Sequence, residues 1–106
     1  MPAPRTKQIA SIQDSFFNGS KSVGVTAAAV TATSTPAQFG VLLKASASNA
    51  VKIYIGNSSG VTINSDPAND GFELSPGDAM LIEIDNVNKL FAIASQASQK
   101  LYWLLV

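Results

Sequence analysis

From Lys21 to the C-terminus, apolar residues recur at every second position, the period of a strand with one buried face. In 37–47, Ala37, Phe39, Val41, Leu43 and Ala45 share one face, and Gln38, Lys44 and Ser46 lie on the other. In 51–55, Val51, Ile53 and Ile55 point inward, with Lys52 and Tyr54 outward. In 79–85, Met80, Ile82 and Ile84 alternate against Glu83 and Asp85. The final stretch is apolar on both faces: Leu101, Trp103 and Leu105 on one, Tyr102, Leu104 and Val106 on the other. A strand of that kind belongs inside a sheet whose two faces are both covered. Either a neighbouring copy covers its second face, or Tyr102 simply faces solvent. Further strands are predicted over 22–33, over Val61-Thr62-Ile63, from Phe72 to Leu74 and over 89–95.

Turn chemistry separates these runs. Ser48-Asn49, Gly56 to Gly60, residues 64–71, Asp85 to Asn88 and Ser95 to Gln99 read as turns or loops. Ser75-Pro76-Gly77-Asp78 has proline at i+1 and glycine at i+2, the requirement of a type II turn. Short strands at this spacing predict an all-β domain, a small antiparallel β-sandwich or a barrel-like variant of it.

The first 20 residues differ. Two prolines and the bases Arg5 and Lys7 precede Ile9, Ile12 and Phe16, which fall at helical spacing, with Phe17 beside them. A helix this short is marginal alone in water. The segment therefore reads as an N-terminal arm, extended or with a short helix, that orders on docking. Asn18-Gly19-Ser20 reads as the turn that ends it, which sets an arm at 1–20 and a β-sandwich domain at 21–106.

Composition narrows the chemistry. The 106 residues include no cysteine and no histidine, which removes disulfides, thiol and imidazole catalysis and the usual zinc ligands. Seven basic residues balance seven acidic ones, so the general phosphate attraction of a nucleic-acid binder is missing. No apolar run approaches the length of a membrane span, and Met1-Pro2-Ala3-Pro4-Arg5 has no secretory apolar core. Neither nucleic acid nor membrane is expected as a partner. The charges are unevenly distributed: Arg5, Lys7, Lys21, Lys44 and Lys52 face only Asp14 in residues 1–52, while six of the seven acids lie in 53–106. Opposite patches of this kind orient docking, or they mix on the folded surface.

No catalytic constellation emerges. Gly56-Asn57-Ser58-Ser59-Gly60 matches a nucleophile elbow in pattern, but it lacks a base and sits between strands rather than before a helix. Asp66, Asp70 and Asp78 offer a calcium fragment, yet Ala68 and Gly77 occupy positions where an EF-hand needs ligands. Acids and amides beside proline and glycine make turns. Glu83 and Asp85, about 7 Å apart on one strand face, could form a hydrolase pair only in a cleft that short strands do not provide. Neither a cofactor nor a metal is expected, and the chain does not read as an enzyme.

Residues 51–106 nevertheless carry a resemblance. Ile53-Tyr54-Ile55-Gly56, then Gly71-Phe72-Glu73-Leu74-Ser75-Pro76-Gly77-Asp78, then Ile84-Asp85-Asn86-Val87-Asn88-Lys89-Leu90-Phe91 resemble the strand and turn motifs of small virion structural proteins of tailed bacteriophages. Those are β-sandwich domains of the capsid decoration (cement) or head-fibre type. The resemblance implies a protein of the outer capsid surface, made in the host cytoplasm, that binds the major capsid protein at capsomer junctions and stabilises the head. On that reading Arg5, Lys7, Ile9, Ile12, Phe16 and Phe17 form the capsid-binding arm. Tyr102, Leu104 and Val106 form a subunit interface of a homo-oligomer, with a trimer favoured by the symmetry of such junctions. The alternative is a fibre, spike or tail accessory domain that binds host-surface glycans through exposed aromatics such as Tyr54 and Tyr102.

Overall fold

A computed structural model describes residues 17–106. The described chain forms eight strands: β1 (Asn18–Val23), β2 (Ala28–Ala29), β3 (Val41–Ala45), β4 (Ile53–Gly56), β5 (Phe72–Leu74), β6 (Ala79–Ile82), β7 (Phe91–Ala94) and β8 (Gln99–Leu105). A 3₁₀ turn spans Val87–Lys89. The first sheet has the order β1-β8-β3-β6 and the second β2-β7-β4-β5. Every strand pair is antiparallel, so the protein is the small β-sandwich that the alternation predicts.

The pairing has a simple rule. β1 pairs β8, β2 pairs β7, β3 pairs β6 and β4 pairs β5. The midpoint of each pair falls between Gly60 and Asn64. The chain is thus one long hairpin, bent at the 57–71 loop and rolled so that successive strands alternate between sheets. That order is a jelly roll, the two-sheet closure built from Greek keys. Its exposed edges are kept short or charged. β2 and β5, the edges of the second sheet, have two and three residues, and β1 carries Lys21 opposite inward Leu101, both devices against edge-to-edge pairing.

The core lies between the sheets. Val41, Leu43 and Ala45 of β3, Leu101 and Leu105 of β8, and Ile53 and Ile55 of β4 all face it and are buried. Burying a side chain such as Leu43, Ile53 or Leu101 completely stabilises the fold by about 1.5–3 kcal/mol each. β8 is central in its sheet, between β1 and β3, as its two apolar faces require. Leu101, Trp103 and Leu105 are its inward set.

Five local expectations are corrected. The strand expected over 22–33 is interrupted: β1 ends at Val23 and β2 holds only Ala28–Ala29. Asn18-Gly19-Ser20 is not a turn but the first half of β1. A Cβ on Gly19 would come within 2.6 Å of the Trp103 indole, so the glycine lets an aromatic ring lie against an edge strand. Phe39 leaves the inward set: it precedes β3 and is 58 % exposed. Val61-Thr62-Ile63 makes only a single bridge, from Thr62 to Asp70. Tyr54 keeps its outward phase in β4 yet is buried. The 57–71 loop covers that face, because Cβ atoms on Gly56 and Gly71 would meet Val61 at 2.5 and 2.9 Å.

The predicted type II turn is present: the Asp78 N–H donates to Ser75 O at 2.9 Å, and Gly77 has φ +90°. Polar side chains hold two other junctions. Asn86 Oδ1 accepts from the N–H groups of Thr35 and Asn88 at 2.8 and 3.0 Å. Gln99, the buried polar residue of the core region, accepts at Oε1 from the N–H groups of Ala50 and Val51 at 2.8 and 3.2 Å. Its Nε2 donates to Ala97 O at 3.0 Å. Gln99→Leu keeps the bulk and strands those backbone groups, so it should lower the unfolding free energy by about 1–3 kcal/mol. Urea denaturation measures this, and a variant as stable as the parent would show that the Gln99 bonds contribute nothing net.

Candidate functional site

The outer face of the first sheet gathers three of the exposed large apolar residues of the described surface, Leu81, Tyr102 and Val106. Strand register builds it row by row. Leu104, Leu42 and Leu81 stand side by side across β8, β3 and β6, with Asn18 of β1 at the flank. The next row is Ser20, Tyr102, Lys44 and Ala79, and Ser22 and Lys100 follow. On the other side of the leucine row lie Val106 and, continuing the alternation of β6, Glu83. Leu81 is 55 % exposed, Tyr102 46 % and Val106 41 %, while Leu42 and Leu104 are half-buried. Exposed apolar residues grouped in adjacent rows and rimmed by polar ones make this face a candidate interaction surface.

The structure places Tyr102, Leu104 and Val106 together on this face, where the sequence reading puts the subunit interface. Leu42 and Leu81 were missed. Each is the outward member of an apolar pair, Leu42-Leu43 and Leu81-Ile82. Only the register shows that they line up with Leu104. Five of the six arm residues singled out, Arg5, Lys7, Ile9, Ile12 and Phe16, lie outside the described residues. Phe17 is described and is 62 % exposed. Its carbonyl accepts from the Leu105 N–H at 2.9 Å, so the chain enters the domain beside the end of β8. Phe39 is exposed at the same end, its N–H donating to Val106 O at 3.0 Å.

Apart from Glu83, the described acidic residues are engaged in local structure. Asp70 Oδ1 accepts from Thr62 Oγ1 at 2.7 Å and from the Ser65 and Asp66 N–H groups at 2.9 and 3.1 Å. Asp66 accepts from the Ala68 N–H and from Asn69 Nδ2, and Asp78 from the Ser75 N–H. Among the described residues, no group of three or more His, Cys, Asp or Glu side chains is placed to hold a metal ion. Asp85 lies past the end of β6 and pairs with Lys89 at 2.8 Å, which separates it in role from Glu83. Ser58 of the elbow-like pattern accepts at Oγ from the Gly60 N–H at 3.2 Å. Lys52 bridges to Glu73 at 3.0 Å. The basic first half and the acidic second half therefore meet across paired strands, a direct result of the nested hairpin.

Comparison with protein-family models, with curated proteins and with solved structures finds no match for this chain.

The hydrogen bond from Thr62, followed by those from the Asp66 and Ser65 amides, holds the Asp70 carboxyl below its ordinary value. A carboxyl with a depressed folded pKa adds stability above its unfolded pKa, and that stability is lost as pH falls through the lower, folded value. The 57–71 loop should therefore keep its structure at pH 4 and loosen at more acidic pH, before the core unfolds. An NMR titration of the Ser65 and Asp66 amides reads this directly, and Asp70→Asn should loosen the loop at every pH. Amide shifts with a midpoint at or above the ordinary aspartate value would sink the assignment.

Proposed function

We propose that this chain is a structural protein of a bacteriophage particle, a decoration protein that binds the major capsid protein at capsomer junctions and stabilises the head. The motif resemblance in residues 51–106 points to that class. The jelly roll is compatible with it but is shared by viral and lectin domains and assigns no function by itself. The observation that carries the reading is the apolar end of the first sheet. Phe17 and Phe39 are each more than half exposed there, at the point where the segment bearing Arg5, Lys7, Ile9, Ile12 and Phe16 joins the domain. Aromatic anchors with flanking bases are the composition of an interface centre and its rim.

The mechanism is addition of buried area across a seam. Each contact needs only modest affinity, because binding to the assembled shell shifts its equilibrium toward the intact state. Glycan binding is the weaker reading, since the burial of Tyr54 removes one of the two aromatic platforms it relies on.

Co-sedimentation with phage heads assembled without the protein tests the proposal. The full chain should bind saturably at a fixed copy number per head. Residues 17–106 retain all of β1 and should stay folded by circular dichroism while losing binding. Truncation through residue 20 would instead strip half of β1. Phe17→Ser combined with Phe39→Ser should weaken binding by about tenfold or more, the scale of a lost aromatic anchor. A folded full chain that leaves heads bare would overturn the reading, and residues 17–106 binding as tightly as the full chain would remove the arm from it.

A further inference from the structure

We infer that the outer face of the first sheet is a self-complementary interface that joins two copies of this chain, antiparallel, about a twofold axis. The inference does not depend on the virion reading; it rests on the register and on the placement of charge. The row Leu104, Leu42 and Leu81 has opposite charges on its two sides. Glu83 is exposed about one row, or 7 Å, beyond it in one direction. Lys44 is exposed one row beyond it in the other, and Lys100 one row further.

A twofold axis lying along the leucine row maps each strand onto its own copy and reverses the rows. Leucine then packs on leucine at the axis. Val106 of one copy covers Tyr102 of the other, and Glu83 comes over Ala79 and beside Lys44. Each copy gives its Glu83 to one such pair and its Lys44 to the other, so the contact is isologous and closes at two. A parallel stacking would set like charges together. The pair of copies stands in place of the trimer that capsomer symmetry favours.

Size sets the affinity class. Four strands at about 4.8 Å spacing and seven residues of β8 give a footprint of about 20 Å by 20 Å. Two such faces bury about 800 Å² in total, below the usual size of stable protein pairs, so the dimer is a weak, transient one and should dissociate in the high-micromolar range. The antiparallel geometry also sends the two Phe17 ends in opposite directions. If the decoration reading holds, one dimer reaches two anchoring points across a seam.

Sedimentation of the full chain over a concentration series, with no heads present, tests the interface. A monomer–dimer equilibrium is expected. Leu81→Asp should weaken it at least tenfold. Glu83→Lys and Lys44→Glu should each do the same, and the two together should restore the parent dissociation constant to within about threefold. Within one copy these side chains stand about 13 Å apart along the strands, so rescue reports a contact between copies. Circular dichroism confirms that each variant is folded. A chain that stays monomeric to millimolar concentration, a trimer, or a dimer indifferent to all four variants would overturn the inference. Head binding is scored separately, so a monomer that still decorates heads refutes this interface and leaves the decoration reading standing.

Discussion

The nested antiparallel pairing around residues 60–64 is the constraint on which the rest of this structure depends. Each strand has as its partner the strand at the same distance on the other side of the chain's midpoint. Only β4 and β5 are close in sequence. β1 and β8 are held together by bonds between residues at opposite ends of the described chain, so the loop closure they require is nearly the longest available. Such a domain gains little from local structure, and it folds cooperatively or not at all. The small core makes this workable because side chains from both halves fill it. Leu43 and Leu101 are fully buried, and so is Val87 at the 3₁₀ turn.

The same pairing distributes charge and polarity. A chain whose first half is basic and second half acidic would carry a large dipole if the halves formed separate lobes. Here they interleave, and Lys52 meets Glu73 across β4 and β5. Exposed ion pairs of this sort add little stability. Their consequence lies in orientation, because on the outer face of the first sheet Glu83 ends up on one side of the apolar row and Lys44 and Lys100 on the other.

The strands themselves were legible where local and tertiary demands agree. The alternation in Val41 to Ala45, in Ile53 to Ile55 and in Leu101 to Leu105 is the alternation of burial in the sandwich. Proline and glycine in Ser75 to Asp78 specified their turn outright. Two of the failures come from contacts outside the strand itself. Gly19 signals a turn locally, yet its lack of a side chain serves Trp103. Tyr54 has the phase of a solvent residue, yet the loop's Val61 and Gly71 lie against its face of the sheet. Half of the candidate face was visible in β8, which is apolar on both sides. Leu42 and Leu81 were hidden because a single outward leucine in a strand carries no signal until register sets it beside another.

The two sheets solve the same problem differently. Both have an apolar outer face. In the second sheet the chain covers its own: the 57–71 loop folds back over Tyr54, glycines at 56 and 71 make room for Val61, and the Asp70 carboxylate ties the loop down. That loop is the bend of the long hairpin, so the cover comes with the topology. The first sheet contains both ends of the described chain, through β1 and β8, and has no such bend to fold over it. Leu81 and Tyr102 are left about half exposed. A neutral domain with few charges has little polar surface with which to mask such a face, and among the described residues no loop takes the place that 57–71 takes on the second sheet. The jelly-roll path therefore decides which of the two outer faces the chain's own bend covers and which it leaves with exposed leucine and tyrosine.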